Sequence, residues 1–374
     1  MNLDEARKHI DDIDMQMARL FEELLKAVAE VAEYKKANDM PIFNGAREQE
    51  VLNKIAGMTS EEFKSYIRVL YNTVFDVSKS YQLKKIGMQS DVTQQIKTAL
   101  ETGTDALPAS AVIACQGRAG AYSQKAAYRL FQAPSVMFFE NFKGVFNAVK
   151  SGMCKYGILP LENSVHGTVN EVYDLMADFD FSIVRMCKIQ VSHVLAAKCD
   201  LSDVKKIMSH SQAIGQCSNF IDETGIKAVE CDNTATAAQL ASEQDGTAAI
   251  CSRECALMYG LKILQENIAD SDNNYTRFIC ISKEKEILPG ADKISFMLTL
   301  PHTHGSLYRM LSVMAAAGIN LTKIESRPIS GKNFEFSFYF EAEASVYSEE
   351  LCPVLSEIEN LSSSFKFFGC YNEI

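Results

Sequence analysis

The sequence predicts a multidomain chain: an all-α helical segment, a two-lobed α/β domain, and a small α+β module of ferredoxin-like order. Three observations carry this. Leu3, Ala6, Ile10, Ile13, Met17, Leu20, Leu24, Ala27, Val31 and Tyr34 recur at spacings of three and four. That is a heptad seam sustained for about 35 residues, or about 50 Å of helix. Between residues 110 and 285, apolar strand-type runs alternate with helical patterns, as in a mainly parallel sheet under helical cover. Residues 292–374 read β-α-β-β-α-β.

The composition bounds the function. Of 374 residues, 47% are hydrophobic and 23% charged, as in soluble globular protein. A net charge of −11 argues against nucleic acid or an anionic membrane as main partner, so an anionic substrate must be held by local Lys and Arg. No apolar run approaches membrane length, and the first twenty residues form a charged amphipathic pattern rather than a signal peptide. A cytoplasmic location is expected. The eleven cysteines are scattered, with no C-x-x-C pair, which reads as free thiols in a reducing compartment. No metal or other cofactor is expected, since nothing near His302-Thr303-His304 completes a ligand set.

In the helical segment, residues 1–87, Asn2 followed by Glu5 makes a capping box, and Asn38-Asp39-Met40-Pro41 ends the long helix. Further helices are expected from about Gly45 to Ile55 and Ser60 to Leu83. One helix of the first one's length cannot bury its seam alone, so it needs a partner helix or a dimer. Arg7, Lys35, Arg47 and Glu48 lie near the ends of different helices, and Ser78 and Gln82 share a face at i, i+4. They read either as solvated surface or as a charged pocket. Residues 88–109 form a linker with a short helix around 92–101.

In the α/β domain, residues 110–285, strand Ala111–Cys115 leads through Gly117-Arg118-Ala119-Gly120-Ala121-Tyr122-Ser123 into a helix, a turn able to hold an anion on backbone N–H groups. The apolar run bounded by Pro160 reads as a buried strand, 156–161, ending at a turn. Glu162, Asn163 and Ser164 follow, then Gly167 and a helix over 167–178. A carboxylate, an amide and a hydroxyl at a strand's carboxyl end supply an acid or base, a two-way hydrogen-bonder and a small donor. The other reading is a helix cap with Ser164 as capping residue. A second lobe begins near Val184. It contains Ser209-His210-Ser211-Gln212-Ala213, where His210 reads as a site residue or a capped turn. Asn273-Asn274-Tyr275-Thr276-Arg277 then leads into an apolar strand facing the crevice between the lobes.

Three sets of motifs resemble known families. The run from Leu20-Phe21-Glu22-Glu23 through Arg47-Glu48 is similar to the all-helical chorismate mutases, in which a dimer exchanges its long first helix. The resemblance implies a dicarboxylate pocket built by Lys35, Asn44, Arg47, Glu48, Ser78 and Gln82, with Arg7 reaching the partner's pocket. Fixed positive charge and a compact substrate pose can supply the catalysis of a Claisen rearrangement. Leu24 stands where the family carries a carboxylate-binding arginine, and Asn44 where Asp is usual. The expectation is weak mutase activity.

Gly117-x-x-Gly120-Ala121-Tyr122-Ser123, Pro160-Leu161-Glu162-Asn163-Ser164, Ser209-His210-Ser211-Gln212-Ala213 and Thr276-Arg277-Phe278 resemble, in order and spacing, the prephenate dehydratases. Ser211 stands where Pro is more usual. The resemblance implies a two-lobed fold like that of periplasmic binding proteins, and conversion of prephenate to phenylpyruvate with loss of carbon dioxide and the ring hydroxyl. By the same resemblance Thr276 acts on the leaving hydroxyl, and Glu162 is a proton source or orients Thr276. Asn163, Ser164, Thr168 and Ser123 hydrogen-bond the substrate, with His210 and Gln212 as further contacts. Arg277 anchors a carboxylate or organises the strand end.

In the last module, Gly305-Ser306-Leu307 and Asn320-Leu321-Thr322-Lys323-Ile324-Glu325-Ser326-Arg327-Pro328 resemble the ACT regulatory domain, with His304 where Pro is common. This implies L-phenylalanine as effector, bound between two such domains near Gly305, Ser306, Leu307, Asn320, Leu321, Glu325, Ser326 and Arg327, in a homodimer or homotetramer. On this division, a chain cut after about residue 286 keeps dehydratase activity and stops responding to phenylalanine.

Overall fold

The computed structural model describes residues 2–38, 40, 41, 44–86, 90–271, 273–303, 305–329, 331 and 335–374. Asp39, the Ile42-Phe43 part of the helical motif, the start of the linker, His304 and the expected strand start at Phe334 lie outside them. The elements in order are α1 (Leu3–Ala37), α2 (Gly45–Gly57), α3 (Lys64–Ile86), α4 (Asp91–Glu101), β1 (Val112–Gln116), α5 (Tyr122–Leu130), β2 (Ser135–Phe139), α6 (Phe142–Lys150), β3 (Tyr156–Asn163), β4 (Gly167–Thr168), α7 (Asn170–Asp178) and β5 (Ser182–Gln190). Next come β6 (Val194–Ala197), β7 (Lys206–Ser209), α8 (Ser211–Gly215), α9 (Ser218–Thr224), β8 (Lys227–Glu230), α10 (Thr234–Glu243), β9 (Thr247–Cys251), α11 (Arg253–Met258), β10 (Lys262–Gln265) and β11 (Tyr275–Ser282). The C-terminal module holds β12 (Lys293–Thr299), α12 (Ser306–Ala316), β13 (Asn320–Pro328), β14 (Phe336–Glu343), α13 (Leu351–Leu361) and β15 (Ser364–Tyr371).

The chain divides into two compact units, Met1–Lys97 with Leu298–Phe338 and Ala342–Lys366, and Thr98–Met297 with Tyr339–Glu341 and Phe367–Ile374. The division differs from the boundaries expected at 87, 110, 285 and 292. Its reason is visible in the second unit's core, where Met297, Tyr339, Phe368 and Tyr371 pack with α/β residues such as Phe146 and Tyr173.

In the first unit the capping box of α1 forms as expected: Asn2 Oδ1 accepts from Glu5 N (2.8 Å) and Asn2 N donates to Glu5 Oε2 (3.0 Å). The apolar seam of α1 stays open in the single chain, with Leu20 64% and Leu24 40% exposed. α3 packs against α1, α2, α12 and α13. On α13, Glu357 is buried and hydrogen-bonded to Ser80, with Asp76 and Lys79 near; burial pushes its carboxyl up to about 7. α4 matches the helix expected in the linker, and Thr93 on it hydrogen-bonds Ser356 (2.9 Å).

In the second unit, the first lobe's sheet runs β2-β1-β3-β11-β5, with β4 on β3. β1, β2 and β3 are parallel, whereas β11 inserts antiparallel to both neighbours. The second lobe's sheet runs β10-β6-β9-β7-β8, with β7 parallel to β8 and β9. The chain thus leaves the first lobe after β5 and returns to its centre as β11. A third sheet, β13-β14-β12-β15, completes the ferredoxin-like order.

Pro160 does not end β3, as the sequence suggested. It lies inside the strand and faces Phe278 where the β3–β11 register shifts. Proline has no N–H to give the ladder, and a bulge is where a sheet interior tolerates it. The strand therefore carries on through Glu162 and Asn163. α7 begins only at Asn170, after the two-residue strand β4, so Ser164 is not its cap.

Candidate active site

Extending β3 past the proline sets the site's geometry. Asn163 lies opposite Thr276, and Glu162 opposite Arg277. Successive side chains on a strand point to opposite faces, and directly opposed residues share one. Thr276 shares its parity with Phe278 and Cys280, which belong to the core over α5; Arg277 shares its parity with Ile279 and Ile281, which belong to the core over α6 and α7. The two adjacent pairs therefore look opposite ways.

On the α5 face, Asn163 Nδ2 donates to Thr276 Oγ1 at 3.0 Å and to Asn274 Oδ1 at 2.8 Å. Asn163 Oδ1 accepts from the backbone N–H of Val165 (3.0 Å) and His166 (2.9 Å). Two backbone donors fix which way the amide points, so its NH₂ must face Thr276. With a lone pair of Oγ1 taken by Asn163, the threonine O–H remains to donate to a group in the crevice. Ser164 ties the arrangement down: its N–H donates to Tyr275 O (2.8 Å), its hydroxyl to Asn273 O (2.9 Å), and it accepts from Tyr275 N (2.9 Å).

On the opposite face, Arg277 is engaged by carboxylates through all three nitrogens. Nε and Nη2 reach Glu373 (2.9 and 3.2 Å), Nη2 reaches both oxygens of Glu341 (2.8 and 2.9 Å), and Nη1 reaches Glu162 (3.3 Å). Burial works against the guanidinium's charge, but Glu341 and Glu373 beside it raise its pKa further above the usual range. Burial opposes ionisation of Glu373 too, yet Arg277 and Lys293 hold its carboxyl below the usual range. Of the two expectations for Arg277, this arrangement favours organising the strand end over anchoring a carboxylate of the substrate, and it gives no support to Glu162 as proton source for, or orienter of, Thr276. The pleat turns Glu162 to the far side of the strand pair from Thr276, and Arg277 is held by three protein carboxylates.

The other residues expected at this site are placed as follows. Ser123 is buried and donates to Gln116 O (2.8 Å), pinning the start of α5 to the end of β1. Thr168 pairs with Glu162 in the β3–β4 ladder. His210 caps α8, its Nδ1 accepting from Gln212 N at 3.3 Å, which is the capped-turn reading. Gln212 contributes that backbone donor. The glycine turn adopts positive φ at Gly117 and Gly120, and a Cβ at Gly120 would meet Cys255 Sγ at 2.8 Å.

Some residues escaped the sequence reading. Asn274 is buried, accepts from Asn163, and leaves its own Nδ2 without a hydrogen-bond partner. Gln216, from the second lobe, bridges buried His193 (2.7 Å) and His166 (3.0 Å), bringing that lobe to the loop after Asn163. Burial lowers the His193 pKa although Gln216 opposes it. Asn274 had a signal, two residues before Thr276 on the same side of an extended chain; Gln216 and His193 had none.

In the first unit, Lys35 Nζ donates to Gln82 Oε1 (3.3 Å), and Lys79 Nζ pairs with Glu48 (3.4 Å) and Asp76 (2.9 Å). Ser78 and Gln82 are buried. α1, α2 and α3 thus bring Lys35, Glu48 and Gln82 into one charged cluster, joined by Lys79 and Asp76, which the sequence reading did not single out. Burial lowers the Lys35 pKa, with Glu48 opposing. Arg7, Asn44 and Arg47 are engaged elsewhere: Arg7 faces Asp4 (3.9 Å), Arg47 pairs with Glu50 (2.8 Å), and Asn44 caps α2 through Arg47 N (3.1 Å).

In the C-terminal module, a cavity of about 380 Å³ is lined by Ser306 and Leu307 together with Pro301, His302, Glu335 and Phe336, among others. Gly305, at φ +78°, opens α12 beside it. Asn320, Leu321, Glu325, Ser326 and Arg327 do not line it; they lie along β13, the edge strand, where Asn320 Nδ2 donates to Glu343 (2.8 Å).

A prephenate dehydratase family model matches residues 113–286, and a chorismate mutase type II model matches residues 6–83. The arogenate dehydratase/prephenate dehydratase 1 of Arabidopsis thaliana is 35% identical over 280 residues, covering 69% of this chain and 71% of the relative. The chain belongs to the prephenate dehydratase family. A bifunctional chorismate mutase/prephenate dehydratase of Aquifex aeolicus is 29% identical over 373 residues, 99% of this chain and 97% of that protein. Among solved structures, the prephenate dehydratase of Arthrobacter aurescens in complex with L-Phe superposes with a TM-score of 0.65 at 30% identity, covering 70% of this chain and 89% of that one. In this family member the Asn163–Thr276 pair lies within the matched dehydratase segment, and the Lys35–Glu48–Gln82 cluster within the matched mutase segment.

Proposed function

We propose that this chain is a bifunctional enzyme that rearranges chorismate to prephenate in its helical segment and converts prephenate to phenylpyruvate in its two-lobed domain, with L-phenylalanine as effector. The observation that carries the dehydratase reading is the Asn163–Thr276 pair, whose amide is oriented by backbone donors so that its NH₂ donates to Thr276 Oγ1 and leaves the threonine O–H available as a donor. In the reaction the ring hydroxyl leaves with a proton, the carboxylate carbon leaves as carbon dioxide, and the electron pair of the broken carbon–carbon bond completes the aromatic ring. Thr276 donates to the departing hydroxyl, Asn163 holds Thr276, and Ser164 fixes the chain on which both depend. Hydrogen-bond donors placed where charge develops are among the largest catalytic terms.

Full-length similarity to bifunctional relatives supports the mutase assignment, and the L-Phe complex of a relative supports the effector. The open seam of α1 fits a homodimer joined through that helix. A cytoplasmic location fits the reading; among the described residues no helix is long and apolar enough to cross a membrane. The test is incubation of the purified chain with prephenate and, separately, with chorismate. Phenylpyruvate from prephenate is expected, and unchanged prephenate overturns the dehydratase reading.

A further inference from the structure

We infer that Glu341, a residue of the C-terminal module, is a positioning residue for dehydration, acting on Thr276 through Arg277. The inference rests on the dehydratase reading above. Glu341 is 1% exposed, deeper than Glu373 or Glu162 in the same network, and both its oxygens accept from Arg277 Nη2. Tyr371 OH also donates to it, at 3.3 Å. A buried carboxylate is costly to keep unless its charge is met, and here a guanidinium and a hydroxyl meet it. The two cations of the network, Arg277 and Lys293, face three carboxylates, with Lys293 on Glu373 at 2.6 Å.

This network lies directly behind the candidate catalytic residue. Thr276 and Arg277 are consecutive in β11, so a grip on Arg277 from one face fixes the pleat that aims Thr276 from the other. The ladder to β3 shifts register between Arg277 and Phe278, while the ladder to β5 stays in step there. Glu341 and Glu373 hold the Arg277 side chain from behind at this shift. A hydroxyl that must sit within hydrogen-bond reach of a departing group is sensitive to displacements of about 1 Å, which act on turnover more than on substrate binding. The chemistry thus draws on a carboxylate outside the catalytic domain's own segment of sequence.

The experiment is steady-state turnover of prephenate by full-length wild type, Glu341→Gln, Glu341→Asp and Ser356→Ala, with thermal melts of the same preparations. Ser356→Ala removes a buried hydrogen bond of the C-terminal module, to Thr93, without touching Arg277. Glu341→Gln is expected to lower kcat by about tenfold or more, the worth of one charge-assisted hydrogen bond, with KM within about threefold. Glu341→Asp should recover part of kcat, and Ser356→Ala should keep it. If Glu341→Gln does not fold, Glu373→Gln carries the same test from the more exposed side of the network. Wild-type kcat in Glu341→Gln, or an equal loss in Ser356→Ala, overturns the inference while leaving the dehydratase reading intact. A wild-type chain that leaves prephenate untouched overturns both.

Discussion

A chain cut after residue 286 is expected to lose dehydratase activity and to melt far below the full-length protein. The sequence reads the regulatory module as separable, but its strands pack into the α/β core, and that packing argues that the dehydratase depends on them. Met297, Tyr339, Phe368 and Tyr371 belong to the core that also holds Phe146, Tyr173, Ile279 and Ile281. The last residues bond the edge strand β5: Met186 N donates to Asn372 O, Ile374 N to Met186 O and Lys188 N to Ile374 O, each at 3.0 Å. The cut also strips Arg277 of Glu341 and Glu373. Glu162 alone would remain on Arg277; removing partners from a buried ion pair costs up to about 3–5 kcal/mol, and each large aromatic lost from a core costs about as much again. Together these reach or exceed the roughly 5–15 kcal/mol by which domains are stable. Circular dichroism melts of the two chains check this. A truncated chain that unfolds cooperatively within a few degrees of the full one, and still turns over prephenate, would show that the C-terminal strands are dispensable.

Restoring a guanidinium at position 24 is expected to raise chorismate turnover. Leu24 and Lys35 are eleven residues apart on α1, three turns of helix, so they lie within about 20° of one stripe. Lys35 on that stripe belongs to the cluster with Gln82 and Glu48, yet position 24 offers it only an apolar side chain, 40% exposed in the single chain. Leucine is comfortable there because it continues the seam between Leu20 and Ala27. A dianionic substrate, however, meets one cation fewer. Losing one partner of a buried, hydrogen-bonded charge pair costs about 2–5 kcal/mol, or roughly 30- to several-thousand-fold in kcat/KM. Lys26 cannot substitute, since it points to another side of the helix and pairs with Glu22 (2.7 Å). Leu24→Arg should raise kcat/KM for chorismate by a factor in that range and leave prephenate turnover alone, at some cost in seam stability. Wild-type chorismate turnover as fast as prephenate turnover would contradict this account of the pocket.

How far the sequence was legible depended on whether the determining contact was local. The capping box at Asn2, the seam of α1 and the βαββαβ order repeat over short distances, and they formed as read. The strand carrying Asn163 was cut short because a proline usually ends a strand, and nothing local shows that β11 would pair there with a bulge to accommodate it. That single error hid the site's logic. Once Glu162 and Asn163 are strand residues, the pleat must separate them, Asn163 toward Thr276 and Glu162 toward Arg277. The carboxylates that hold Arg277 lie 64 and 96 residues further on, where the sequence reads as another module. His210 shows the reverse case, a motif residue whose placement is fully explained by a local cap.

The central claim is that Thr276, aimed by Asn163, does the dehydration chemistry. Its most direct test is turnover of prephenate by Thr276→Ala beside wild type, with a thermal melt of each. The substitution removes a hydroxyl without opening a large cavity, so the melt should change little. Loss of one transition-state hydrogen bond of about 3 kcal/mol predicts a kcat about a hundredfold lower. Thr276→Ala turning over prephenate at near the wild-type rate would contradict the account.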